Sequence, residues 1–240
     1  MRETPAVYTR DLHYSYDDRP AVIAGISLTV AQGASMGIVG RNGAGKTTLF
    51  MLLCGILRPI RGEISVAGKP VAYRTFNPDI GYVFQNPDDQ LFSPTVFDDI
   101  LFGPINMKFS RREASQRAEE AMSQCGCGSL ARRPSHHLSG GEKRMVAIAT
   151  VLAMRPGVML YDEPTSNLDV AGKRMVSSLL VQRDTTNLVA SHDLEFVCEV
   201  CDEVCVLKEG CVAAVGPARE IMARKDLMQG AGLEVPYSLR

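Results

Sequence analysis

The chain has no apolar run long enough to cross a bilayer. Its longest, Leu49–Leu57 and Met145–Met154, fall far short of the ~20 residues a membrane helix needs. The first residues, Met1–Asp18, are polar and carry no signal core. Secretion and membrane insertion are therefore not expected, and any membrane role must be borrowed from a partner. Neither sign of charge is in excess: 26 Lys plus Arg face 27 Asp plus Glu, a net charge of −1. A dedicated nucleic-acid binder would need a basic surplus on some face. No low-complexity linker and no internal repeat interrupts the chain. With 45% apolar and 22% charged residues the composition is that of a globular protein, not a disordered one. The 240 residues allow one or two domains and a core that needs no disulfide or structural metal.

The seven cysteines are an odd number in a chain without a secretory signal, so free thiols in a reducing compartment are expected. Cys198 and Cys201 have the spacing of a zinc-binding pair. However, Leu194, Val197, Cys198 and Cys201 fall at i, i+3, i+4 and i+7, the buried stripe of a helix. Cys205 lies in the apolar run Val204–Leu207. Both patterns favour cysteine as a small core residue over a metal ligand.

Short apolar or alternating segments predict strands at Leu12–Tyr16, Ile26–Val30, Ser35–Val39, Glu63–Val66, Ile80–Phe84, Val158–Tyr161 and Asn187–Ala190. Helices are expected over Thr47–Leu57, Ser110–Met122 and Gly141–Met154. Strands alternating with helices indicate an α/β fold with a mainly parallel sheet. The stretch from about Asn86 to Arg155 is predominantly helical and breaks that alternation, so it is a candidate inserted subdomain.

Gly40-Arg41-Asn42-Gly43-Ala44-Gly45-Lys46-Thr47-Thr48 matches G-x-x-x-x-G-K-[ST] between a predicted strand and a predicted helix. Its glycines free the backbone to turn N–H groups inward as an anion nest. The helix start adds its positive dipole end. Lys46 supplies a charge for the β- and γ-phosphates, and Thr47 a hydroxyl for Mg²⁺. No N-K-x-D segment is present, which argues against guanine specificity.

Asp162 and Glu163 directly follow the apolar strand Val158–Tyr161. In an open parallel sheet, ligands sit outside the carboxyl ends of strands. Asp162 is therefore expected at the Mg²⁺ beside Thr47, and Glu163 as the base that polarises an attacking water. Leu138-Ser139-Gly140-Gly141-Glu142 precedes another helix. Ser139 and Glu142 fit a capping box, and the two glycines bare a second anion-binding helix start. Only one of the two helix starts carries the Lys-Thr pair.

These motifs, with Gln85, Ser166–Asp169 and His192, stand in the order and spacing of an ABC-type ATPase, and the resemblance runs from about Tyr8 to Ile221. It implies a phosphate-loop NTPase fold with a RecA-like, mainly parallel sheet, an N-terminal antiparallel β subdomain and the helical insert at about 86–155. In that family Leu-Ser-Gly-Gly of one subunit closes over the nucleotide on the phosphate loop of another, which gives the second anion site its purpose. The resemblance further implies that Tyr16 stacks on adenine and that Gln85 contacts Mg²⁺ or water. It places His192 at the γ-phosphate, and Ser139, Gly140, Gly141 and Asp169 at the dimer seam. ATP and Mg²⁺ are the implied ligands. His136 and His137 are left as surface or capping residues.

The segment Asn86–Pro104, with Gln90, Phe92, Phe97 and Phe102, resembles the ATPase subunits of energy-coupling-factor importers, most closely the cobalt/nickel branch, with vitamin importers as the alternative. That resemblance implies a second ATPase subunit, identical or paralogous, and a transmembrane coupling protein docked near Phe92 and Phe97. It also implies a membrane-embedded substrate-capture protein and a peripheral place on the cytoplasmic face of the membrane. About 18 residues follow Met222. They are too few for a dimerising C-terminal domain, and no folded extension is expected there. A soluble ABC ATPase of DNA repair or translation would carry a long coiled coil or two cassettes. The 52 residues between Gln85 and Leu138 cannot hold such a coiled coil. A non-catalytic subunit would lack Glu163 or His192.

Overall fold

The structure, a computed structural model, describes residues 4–181 and 185–240. Two sheets organise it. The first is antiparallel and N-terminal: β1 (Val7–Tyr16), β2 (Arg19–Val30), β4 (Arg61–Val66) and β5 (Lys69–Pro70), in the order β2-β1-β4-β5. The second holds β3 (Ser35–Val39), β6 (Ile80–Val83), β7 (Val158–Asp162), β8 (Thr186–Ala190), β9 (Glu203–Lys208) and β10 (Cys211–Pro217). Its order is β10-β9-β3-β8-β7-β6, with every pairing parallel except that of β10 with β9. All five residues of β3, β7 and β8 are buried, as expected for strands covered on both faces. The expected α/β class and N-terminal antiparallel sheet are thus present.

Between β6 and β7 the chain forms only helices: α2 (Val96–Asn106), α3 (Arg111–Gln124) and α4 (Gly140–Leu152), with short 3-10 turns. Ala114, Ala118, Ala121 and Met122 of α3 face the same core as Ile100 of α2 and Ile148 of α4. That stripe is what an Ala-rich, otherwise charged helix buries. The helix α4 also lies close against β6. A Cβ on Gly81 would fall on Val151 Cγ1, so glycine sets the approach.

The helix opened by the phosphate loop, α1 (Lys46–Leu53), is shorter than the pattern suggested. Gly55 is left-handed at φ 70°, and the N–H of Ile56 turns back to the carbonyl of Met51. This glycine C-terminus halts the helix although the apolar run continues to Leu57.

Helices α5 (Val170–Val181) and α6 (Leu194–Val200) flank β8. Val197, Cys198 and Cys201 are buried at the end of α6, in the stripe read from their spacing. Burial pushes the Cys205 thiol up to about 12.

The segment after Met222 corrects an expectation. After α7 (Ala218–Met222) it folds as α8 (Lys225–Gly230) and a final 3-10 turn. Met228 and Ala231 are buried, and Leu227, Leu233, Val235 and Leu239 pack on the same core. Six apolar side chains among glycines and Pro236 suffice to fold a tail onto an existing surface, although they could not build a domain of their own.

Candidate functional site

Four adjacent parallel strands deliver the candidate residues to one edge of the large sheet. The order is β3, β8, β7, β6, and their carboxyl ends lead into Gly40, Ser191-His192, Asp162-Glu163 and Gln85. The site is thus assembled by strand order from segments more than 150 residues apart in the chain (40 to 192).

A cleft of about 440 Å³ opens there, lined by Tyr16, Val22, Asn42, Gly43, Gly45, Lys46, Thr47, Thr48, Gln85, Asp162 and Glu163. Gly45, the N-cap of α1, stands at φ 101°, and a Cβ there would meet the Val22 carbonyl at 2.8 Å. Only glycine permits both the turn and that contact. The ammonium of Lys46 donates to the Gly40 carbonyl at 2.9 Å. Burial lowers its pKa, while Glu163 and Asp162 pull it back up. Tyr16 closes the cleft, its hydroxyl 3.3 Å from Thr48 Oγ1 and its ring edge-to-face with Tyr14. The Arg41 side chain turns the other way, into a second cleft against Gln229–Gly232. Of this residue only the backbone belongs to the phosphate loop proper.

Asp162 is buried at the end of β7. Tyr82, from the neighbouring strand, donates its hydroxyl to Asp162 Oδ2 at 3.0 Å. The other oxygen, Oδ1, is buried without a hydrogen-bonding partner. Burial raises the carboxyl pKa, against the pull of the Thr47 and Tyr82 hydroxyls and of Lys46. An unpaired buried carboxylate oxygen beside a threonine hydroxyl is the hard oxygen donor set that fits Mg²⁺.

Glu163 is buried and left-handed, at φ 48°. A non-glycine residue in that region costs on the order of 1 kcal/mol and persists when neighbours hold it. Here they do: its N–H donates to the Ala190 carbonyl at 2.8 Å. Its Oε2 receives the Ser191 hydroxyl and the His192 N–H, both at 3.3 Å, and lies 2.7 Å from His192 Nδ1. The His192 side chain is otherwise two-thirds exposed (66%), so its outer nitrogen reaches solvent.

The second helix start stands apart. Ser139 Oγ accepts from the Glu142 N–H at 3.3 Å and Glu142 accepts from the Ser139 N–H at 2.7 Å, closing the capping box read from the sequence. Ser139 and Gly140 are exposed, and a Cβ on Gly140 would meet nothing. None of Ser139, Gly140 and Gly141 lines the cleft that holds Lys46. Asp169 is exposed and accepts from the Gly172 N–H at 2.7 Å, capping α5.

Phe92 and Phe97 part company. Phe92 is 67% exposed, whereas Phe97 packs on the core of the helical layer. The aromatic standing with Phe92 is Phe102, half exposed, at a ring distance of 4.9 Å and perpendicular. On α2, Phe97 and Phe102 point differently because five positions are 500° of helical rotation at 3.6 residues per turn. Tyr82 and Ser191 are the site residues that motif reading did not single out, and Phe102 stood in the Asn86–Pro104 segment without a docking role of its own. Ser191 carried one signal, a hydroxyl at the end of a buried strand. Tyr82 carried none, since its role depends on which strand lies beside β6.

The sequence pattern of the family described as ABC transporter matches residues 23–166, more than half of the chain. The chain belongs to the ABC transporter family. It is 40% identical to the energy-coupling factor transporter ATP-binding protein EcfA of Methanocaldococcus jannaschii, over 96% of this chain and 85% of that protein. Identity to EcfA of Methanothermobacter thermautotrophicus is 41%, over 95% and 76%. Among solved structures, CbiO1 from Clostridium perfringens, part of the ABC transporter complex cbiONQ, superposes with a TM-score of 0.83 at 38% identity, covering 96% of this chain and 95% of that one. This ABC protein is an ATPase of the energy-coupling-factor type, which hydrolyses ATP to power transport.

Proposed function

We propose that this chain is the motor subunit of an energy-coupling-factor importer for a transition metal ion such as cobalt or nickel. One observation carries the motor reading: the strand ends assemble the phosphate loop, Asp162, Glu163 and His192 on one edge, while Ser139–Gly141 lie outside that cleft. A lone chain thus holds half of each composite ATP site, and a second ATPase subunit supplies the other half. The cargo reading is supported by the likeness of Asn86–Pro104 to the cobalt/nickel branch and by the similarity to CbiO1.

Each residue then has a task. The N–H groups of Gly40–Thr48 and the Lys46 ammonium hold the phosphates, and Tyr16 stacks on adenine. Thr47, Asp162 and Gln85 would hold Mg²⁺, which supplies charge neutralisation at the β- and γ-phosphates. Glu163 accepts a proton from the water that attacks the γ-phosphorus. Its Oε2 is already occupied by Ser191 and His192, so Oε1 is the oxygen that faces the water. His192 holds Glu163 through Nδ1 and turns its outer nitrogen to the γ-phosphate. Ser139, Gly140, Gly141 and Asp169 meet the partner's nucleotide across the seam.

The chain is one ABC ATPase domain with the helical layer at about 86–155 as its insert. Phe92 and Phe102, exposed beside the Gln85 segment, receive the transmembrane coupling protein. On this reading the chain sits on the cytoplasmic face of the membrane, with a membrane-embedded substrate-capture protein in the same complex. The test is purification in mild detergent with this chain as bait, followed by cobalt, nickel and vitamin binding to the capture subunit. Metal binding is expected. Binding of a vitamin instead moves the chain to the vitamin branch, and recovery of no membrane protein overturns the transport assignment.

A further inference from the structure

The segment Phe84–Gln90 is fastened along one face of α4. The Gln90 amide is a bridge: Oε1 accepts from the Phe84 N–H at 3.0 Å, and Nε2 donates to the Ala147 carbonyl at 2.7 Å and to Thr150 Oγ1 at 2.8 Å. Arg144, 2% exposed, donates to the Phe84 and Gln85 carbonyls at 2.7 and 2.6 Å. Lys143 pairs with Asp88 at 2.6 Å. Positions 143–144, 147 and 150 lie on one side of the helix over two turns. The backbone around Gln85 is therefore pinned to α4 at both ends, while the Gln85 side chain is exposed at the phosphate cleft.

A tie of this kind has a mechanical consequence. A hydrogen-bonded segment and the helix it grips move as one body, because sliding one past the other strands several buried polar groups. The near end of that body is Gln85. The start of α4, where Ser139–Gly141 stand, belongs to the same body, and Gly140 lines one cleft with Gln85. We propose that Gln90 is a positioning residue that makes the Gln85 segment and α4 a single lever. A displacement of Gln85 by nucleotide at one site is thereby delivered to Ser139–Gly141, which complete the other site. Gln90 touches no substrate. The inference rests on the composite sites proposed above.

The test is ATP turnover by the purified membrane complex as a function of ATP concentration, for the parent and for Gln90→Glu. This substitution keeps side-chain length and the acceptor for Phe84 but replaces the donor to α4 with a carboxylate facing the Ala147 carbonyl. Its turnover should fall about tenfold, the range expected of a residue that carries coupling. Its Hill coefficient should fall from about 2 to about 1, and the dissociation constant of a fluorescent ATP analogue should stay within about twofold of the parent's. Thr150→Val removes one of the two Gln90 acceptors at constant volume and should shift the same two quantities less, about threefold in turnover. It decides the matter if Gln90→Glu does not fold. Parent-like turnover and cooperativity in the folded variants, or a rate loss matched by an equal loss of ATP affinity, overturns the lever while leaving the composite sites standing. A parent complex without cooperativity overturns both.

Discussion

His192 Nδ1 lies 2.7 Å from Glu163 Oε2, so residues just past the ends of two neighbouring strands share one contact. Glu163 is buried and backbone-strained, and His192 is the exposed member that holds it. A carboxylate whose one oxygen is spoken for by three donors is fixed in direction before any water arrives. Glu163→Gln should leave ATP binding intact, slow hydrolysis by about 10²–10⁴-fold and trap an ATP-bound dimer. Single-turnover hydrolysis and size-exclusion chromatography read both outcomes, and unchanged turnover would remove Glu163 as the base.

His192→Ala tests the other half of the pair. It should lower turnover about tenfold or more with little change in ATP affinity, because Glu163 keeps Ser191 but loses its ring partner. Equal losses in rate and affinity would instead mark His192 as a plain phosphate ligand.

Lys46→Ala removes the ammonium that lines the cleft. Binding of ATP should become undetectable in a fluorescence titration at concentrations that saturate the parent. A variant that still binds and hydrolyses ATP would sink the phosphate-loop assignment.

Asp162 predicts a trade of stability against function. Its burial raises the carboxyl pKa, so the folded chain takes up a proton more readily than the unfolded chain. Its contribution to stability therefore falls as pH rises from the ordinary aspartate range through the raised value. Asp162→Asn should abolish that slope and raise the stability of the nucleotide-free chain at neutral pH by about 1 kcal/mol, the usual gain when a strained functional charge is removed. It should also lose the thermal shift that Mg²⁺-ATP produces in the parent. Melting curves across pH, with and without Mg²⁺-ATP, show both effects. A variant less stable than the parent at neutral pH would contradict the assignment of cost to the buried charge.

The aromatic surface separates docking from packing. Phe92→Asp and Phe102→Asp should release the membrane partner from a detergent-purified complex without lowering the melting temperature of the isolated chain. Phe97→Asp should lower that temperature, because its ring packs on the helical core. A complex that survives both surface changes would place the docking face elsewhere.

The folded tail makes a simple stability prediction. Met228 is fully buried, so Met228→Ala should cost about 2–5 kcal/mol in denaturant unfolding. A loss below about 0.5 kcal/mol, the level of an ordinary surface change, would show that the tail adds nothing to the core.

Much of this molecule is legible in its sequence because the signals are local. The strand Ser35–Val39, the glycine loop and the Lys-Thr pair lie within 14 consecutive residues, and the same backbone that reads as a motif forms the anion nest. The capping box at Ser139 and Glu142 is a three-residue relation, and it closed as read. The buried cysteine stripe of α6 follows from helical periodicity alone. The end of α1 at Gly55 and the folded tail were less legible. An apolar run does not say where a glycine will turn, nor which surface waits for it.

Residue types at fixed short spacings already mark which groups have the chemistry to bind phosphate, hold a divalent cation or accept a proton. The tertiary structure decided what they stand beside. Tyr82 on Asp162, Ser191 and His192 on Glu163, and Gln90 and Arg144 across to α4 all depend on strand order and helix placement. The helix start at Ser139–Gly141 likewise reads as an anion site from its spacing, and only the fold shows that it does not line its own chain's phosphate cleft.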